Sequence, residues 1–154
     1  MSDPKLSQLT TDGNMRAKVE QIIETLQAKG YPDTAIIEAM RTREQQAEKV
    51  RLGYSKTMNS YHLKRGSDGK GKAADIVPRS KGWNFSKRYA MMYGWLCYTK
   101  HLGWGGLFGL SAKQKANLFS QMQALSLEGW PKDSDRYQTP IGWDAAHVQL
   151  DSNW

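Results

Sequence analysis

The residues best suited to chemistry are three histidines, His62, His101 and His147, and the polar groups around two of them. His62 lies in Ser60-Tyr61-His62-Leu63-Lys64, and His147 in Gly142-Trp143-Asp144-Ala145-Ala146-His147-Val148-Gln149. Neither an HExxH helix nor paired CxxC motifs occur, and Cys97 is the only cysteine, so the familiar zinc signatures and an internal disulfide are excluded. A catalytic zinc site needs less: three protein ligands drawn from His and carboxylates, with a fourth position left for water. Two of the histidines and one Asp or Glu would meet that requirement. Ser60 stands two residues before His62, where its hydroxyl can fix the loop or meet a substrate; no His–acid pair is assigned to activate it as a nucleophile. Gln149 follows His147 by two, so on a strand it shares the same face. His101 falls where a helix should end, and a cation interacts favourably with a helix C-terminus; we assign it a structural role. Cys97 sits in an apolar helical stretch and reads as a buried structural thiol.

The elements that must position these groups follow from periodicity and caps. Residues 14–29 carry Val19, Ile22, Ile23 and Leu26 on one helix face, ended by Gly30. A β-prone run covers 34–40, and Thr42 with Gln45 forms a capping box for a second helix that stops near Gly53. Residues 73–77 predict a strand closed by Pro78. Ser86 caps a long helix to about His101, after which LGWGGLFGL interrupts. Ser111 with Gln114 is another capping box, opening a helix to about Leu125. Residues 128–142 predict a loop, and 144–150 a last short strand. Residues 1–13 are polar and predicted to be loosely held, and 54–72 predict a loop with a flexible insert. Helices and short strands without a βαβ rhythm give a single α+β domain over residues 1–154.

Several of these segments, read together and in order, resemble one family. Omitting residues 65–70 leaves S-Y-H-L-K-G-K-A-A-D, from Ser60 to Asp75. This resembles the SxHxxGxAxD hallmark of zinc peptidases that include D-alanyl-D-alanine carboxypeptidases, D-alanyl-D-alanine dipeptidases and phage L-alanyl-D-glutamate endopeptidases. Asp144-x-x-His147 resembles the family's downstream carboxylate-x-x-His. Arg41-Thr42-Arg43-Glu44-Gln45-Gln46 with Gly53-Tyr54-Ser55 resembles its RTxxxQ…GxS stretch, and Leu102-Gly103-Trp104-Gly105-Gly106 its GxxWGG segment. The chain departs from the pattern in the inserted loop at 64–72 and in a longer segment between Gly106 and Trp143 that carries an extra helix. A loop insertion is thermodynamically cheap when its ends stay close.

The resemblance implies a fold of the DD-peptidase and Hedgehog type, a small, mainly antiparallel sheet flanked by helices. It implies one Zn²⁺ held by His62, Asp75 and His147, with Asp144 as general base and Arg41 facing the scissile carbonyl. Asp where many relatives have Glu points to the endopeptidase branch. Ser60, Trp104 and Gln149 are candidate substrate contacts; Trp104 and Trp143 flank glycine turns, where a cleft wall and core packing both fit them. The implied partner is the peptidoglycan stem peptide, with the protein acting as a monomer.

Composition is compatible with this. The net charge is +7, which suits an anionic envelope, nucleic acid or lipid without choosing among them. The basic residues are spread along the chain apart from a cluster at 64–72, and no nucleic-acid motif occurs, so no nucleic-acid partner is expected. No stretch is long and apolar enough to span a bilayer, and no signal peptide is apparent. The expectation is synthesis in the cytoplasm and action at the periplasm or wall once the membrane is permeabilised. Alternatives are a D-alanyl-D-alanine carboxypeptidase of the same family, or a non-catalytic module binding cell wall or nucleic acid.

Overall fold

The apolar stripe of Met15, Val19, Ile22, Ile23 and Leu26 forms the buried face of helix α1 (Met15–Ala28). In the computed structural model, which describes residues 3–154, that face packs on strand β1 (Thr34–Glu38) and on the later helix at Lys87–Thr99. Thr42 and Gln45 close a reciprocal capping box at the start of α2 (Arg43–Arg51), and Ser111 and Gln114 do the same for α4 (Ala112–Leu127). Ser86 caps α3 (Lys87–Thr99), accepting from the Tyr89 N–H. Helix α3 ends in a Schellman turn: His101 takes φ +60° and the Leu102 N–H bonds the Cys97 carbonyl. His101 is exposed there and belongs to the helix end.

Strands β1, β2 (Ala73–Pro78), β3 (Gly103–Trp104) and β4 (His147–Gln149) form one antiparallel sheet in the order β1-β2-β4-β3. Alternation along β2 and β4 sends Ala74, Ile76 and Val148 into the helical core with Trp104, Tyr89, Met92 and Tyr93. Asp75 and His147 are cross-strand partners on the other face. The β1–β2 register shifts between Ile36 and Glu38, a bulge that places Glu38 opposite Asp75. The sheet therefore carries Glu38, Asp75 and His147 in one row. The result is a small α+β domain of four helices and four antiparallel strands among the described residues.

Two expectations are corrected. Residues 1–13 are not loosely held in the part described. Pro4–Gln8 form a 3₁₀ turn, and Leu6 and Leu9 are buried in the core. The segment 64–72 is an ordered hairpin rather than a flexible insert, with Gly66 N–H to Lys70 O at 2.8 Å and Lys72 N–H to Lys64 O at 3.3 Å. The two segments hold each other. Gly71 N–H donates to Gln8 O (2.7 Å) and Thr10 N–H to Gly71 O (2.9 Å). Asp68 accepts from the Thr11 N–H at 2.9 Å and the Thr10 hydroxyl at 2.8 Å. A Cβ at Gly66 would collide with Thr10, so glycine permits the close approach. The extension beyond Gly106 packs α4 on α3, with Phe119 against Trp95 and Tyr98.

Two tests follow from the docked N-terminal segment. Leu9 is 0% exposed, so Leu9→Ala should cost about 2–5 kcal/mol of stability by urea unfolding, whereas a loose tail would show no change. The hydrogen bonds to Asp68, led by that from the Thr11 N–H, hold its carboxyl well below the usual carboxylate range. A depressed folded pKa contributes stability above the unfolded value of about 3.9 and loses it as pH falls through the folded pKa. The urea-midpoint gap between wild type and Asp68→Asn should therefore be full near neutrality and narrow below about pH 4; a gap that does not narrow would overturn the account.

Candidate metal centre

His62 lies in a 3₁₀ turn, Tyr61–Leu63, whose start is capped by the Ser60 hydroxyl accepting from the His62 N–H at 3.2 Å. Asp75 is in the middle of β2 and His147 opens β4. The turn and the two strands bring one ligand atom from each residue within 4.8 Å of the others, and all three side chains are buried. His62 Nε2 is 3.3 Å from Asp75 Oδ2, and His147 Nδ1 is 3.6 Å from Asp75 Oδ1.

The outer nitrogens fix the tautomers. His62 Nδ1 lies 2.7 Å from the Ala39 carbonyl, which can only accept, so Nδ1 carries the proton and Nε2 presents a lone pair to Asp75. His147 Nε2 lies 2.9 Å from Gln149 Oε1, and the Gln149 amide nitrogen donates to Asp151 O at 3.0 Å. That second bond orients the amide, so His147 Nε2 is the donor and Nδ1 presents its lone pair inward.

The interior of the cluster thus holds acceptors facing acceptors. His147 Nδ1 and Asp75 Oδ1 are buried with no hydrogen-bond partner. Buried polar atoms of this kind are costly when unmet. A proton on His62 Nε2 would answer one carboxylate oxygen and leave that pair unanswered. Two imidazole nitrogens and a carboxylate oxygen, each oriented from behind by a carbonyl, an amide or a strand, are a donor set that could hold a metal ion.

Burial opposes charge on Asp75, but the two imidazoles outweigh it and hold the carboxyl well below the usual range. Burial likewise opposes charge on His62, but a second proton on Nε2 would bond and attract Asp75, which carries the His62 pKa above the ordinary value. Asp144 Oδ2 lies 3.8 Å from His147 Nδ1. Burial and the nearby Asp75 charge both push the Asp144 carboxyl up, against weaker pulls from His147, His62 and Arg41. Two carboxylates with opposed shifts share the cluster, a pattern suited to one ligand and one proton acceptor.

The surrounding network explains the motif spacing. Arg41 is buried and clamped: Nε and Nη2 meet the two Glu38 oxygens at 2.8 Å each, and Nη1 reaches Gln46 Oε1 at 2.5 Å and Ser60 Oγ at 3.4 Å. Gln46 in turn donates to Ser55 Oγ and Thr57 O. Trp104 is not a substrate contact. It is fully buried, and its indole N–H donates to Ala145 O at 2.8 Å, so it backs the segment leading to His147. A Cβ at Gly105 would collide with the Asp144 carbonyl, so the glycines beside Trp104 let this turn lie against the Asp144–His147 turn. Trp143 is 77% exposed and packs on Phe108, whose ring lies 5.4 Å from that of His147. Tyr61 approaches His147 edge-on at 6.4 Å. Glu38, Phe108 and Tyr61 were not singled out from sequence. Glu38 lies in the β-prone run, where the helical spacing of ion pairs does not apply, so its pairing with Arg41 carried no local signal.

No family model matches the sequence, and no curated protein matches it. Among solved structures the chain is similar to the Serratia marcescens L-Ala D-Glu endopeptidase ChiX. The alignment covers 95% of this chain and 83% of that one, at 18% identity and a TM-score of 0.51. At this identity the likeness is one of architecture: the chain shares the fold of that endopeptidase.

Proposed function

We propose that this protein is a zinc-dependent peptidase of peptidoglycan stem peptides, cutting the L-alanyl-D-glutamate bond. The observation that carries the reading is the buried acceptor cluster of His62, Asp75 and His147, two of whose inward atoms have no partner. The shared fold with an L-Ala D-Glu endopeptidase supports the substrate class. When bound by these three residues, the ion supplies Lewis acidity, polarising a carbonyl and acidifying water to a pKa of about 7.

The chain's own groups account for the rest. Asp144, adjacent to His147 and with its carboxyl pushed up, takes the proton of the attacking water and returns it to the leaving amine. Arg41 retains one Nη2 N–H beyond its bonds to Glu38, Gln46 and Ser60, and that donor is assigned to the oxygen of the scissile carbonyl. Gln149 holds the His147 ring and its tautomer rather than the substrate. The exposed Trp143, packed at a tilt against Phe108 and next to Asp144 in the chain, offers an apolar wall for the peptide. The domain contains no helix long and apolar enough to cross a membrane among the described residues.

The decisive experiment is release of new amino termini from purified peptidoglycan, with fragments identified by mass. Cleavage should disappear with a chelator, return with zinc, and fall by about two orders of magnitude or more in Asp144→Ala. Release of free D-alanine instead, with no new D-glutamate amino terminus, would assign the carboxypeptidase alternative; no cleavage of several wall types by zinc-loaded protein would sink the reading. Gln149→Leu removes the partner of His147 Nε2 and should weaken zinc binding about tenfold or more, measured by competition with a chromophoric chelator. Unchanged affinity would mean the Gln149 bond does not orient the ligand.

A further inference from the structure

We propose that the 64–72 hairpin is a brace for the metal centre and that Arg65 is its positioning residue, an inference that rests on the peptidase reading above. Among the described residues the hydrogen bonds of the Arg65 guanidinium go to backbone carbonyls. Nη1 donates to His62 O at 2.9 Å and to Lys64 O at 3.2 Å, and Nη2 donates to Arg41 O at 2.8 Å. One planar group therefore ties the peptide carrying a metal ligand to the peptide carrying the clamped arginine. Among the described residues, the two peptides are otherwise tied through their backbones by Arg41 N–H to His62 O, at 3.0 Å. A guanidinium donates in several fixed directions at once, which suits a bridge between two carbonyls on different segments.

The brace is anchored at its other end. The tip of the hairpin bonds the N-terminal segment through Asp68 to Thr10 and Thr11, and through Ser67 to Asp12. That segment is itself fixed by Leu6 and Leu9 in the core. The path runs from the core through the N-terminal segment and the hairpin tip to Arg65, and from there to the backbone of both His62 and Arg41. The residues that lengthen the spacing between His62 and Asp75 thus hold the two halves of the site in register.

The test uses Arg65→Ala, Arg65→Lys and Lys70→Ala in the full chain; Lys70 is exposed on the same hairpin and removes the same charge. Zinc affinity is read by chelator competition, kcat and KM on a soluble stem peptide, and stability by urea unfolding. Arg65→Ala should weaken zinc binding about tenfold and lower kcat more than it raises KM. Arg65→Lys should remain impaired, because an ammonium cannot span both carbonyls in the same geometry, while Lys70→Ala should match wild type. Wild-type zinc affinity and kcat in Arg65→Ala would overturn the proposal, as would full recovery in Arg65→Lys, which would make charge the cause. If Arg65→Ala does not fold, Arg65→Lys and Arg65→Gln decide the matter by the same readouts. A wild-type protein that binds no zinc overturns the peptidase reading itself, whereas zinc-binding wild type with indistinguishable Arg65 variants overturns the brace alone.

Discussion

A carboxylate buried in the middle of a sheet strand sets the terms for the rest of this molecule. Taking an ion such as Asp75 out of water costs several kcal/mol unless opposite charge and hydrogen bonds replace the lost hydration. His62 and His147, both buried, have their outer nitrogens occupied and turn inner lone pairs toward the carboxylate, so a cation held among the three would be what replaces that hydration. Ala39 O serves one and Gln149 the other, and Gln149 is in turn oriented by Asp151 O. The negative charge also acts on Asp144, raising its proton affinity. Around one desolvated carboxylate the outer partners set two tautomers and an amide orientation, and burial together with its charge pushes a second carboxyl up.

Sheet register is the device that makes this arrangement possible. Asp75 pairs with His147 across β2 and β4, and the β1 bulge brings Glu38 opposite Asp75 from the other side. Side chains alternate with period two, so a one-residue slip would send Asp75 into the helical core and Ala74 or Ile76 to the site. The apolar face, with Ala74, Ile76 and Val148 among the rings of α3, penalises such a slip heavily. Core packing and site geometry are therefore two faces of one constraint. The Glu38 position links them to Arg41, and Arg41 to Gln46 and Ser60.

What could be read from sequence was what is local. The capping boxes at Thr42–Gln45 and Ser111–Gln114 involve residues three apart, and both form as the spacing predicts. Period-two alternation put Gln149 on the face of His147, where it makes the bond described. Strand β3 escaped notice because two residues, one of them glycine, carry no periodic signal. The N-terminal segment looked loose because Leu6 and Leu9 are flanked by polar residues, and their burial in the core and the bonds to a hairpin more than fifty residues away are tertiary contacts that no local pattern carries. Trp104 was ambiguous for the same reason: beside glycines, only the tertiary neighbours decide whether an indole lines a cleft or fills a core. Arg65 lay inside a stretch whose composition suggested only flexibility, yet its bonds are to backbone carbonyls, which no side-chain pattern reveals.

The order of strands has a bearing on how the chain becomes competent during synthesis. Strand β4 is the last in sequence among the described strands but lies in the interior of the sheet, between β2 and β3. A chain emerging from the ribosome can assemble α1, the β1–β2 pair and the helices while β2 still presents a bare edge bearing Asp75. The ligand set is complete only when His147 has left the exit tunnel and β4 has threaded into place. Nascent chains are consequently unable to close the His62–Asp75–His147 cluster, and any chain truncated before β4 is left with an open sheet edge and Asp75 without its cross-strand partner His147.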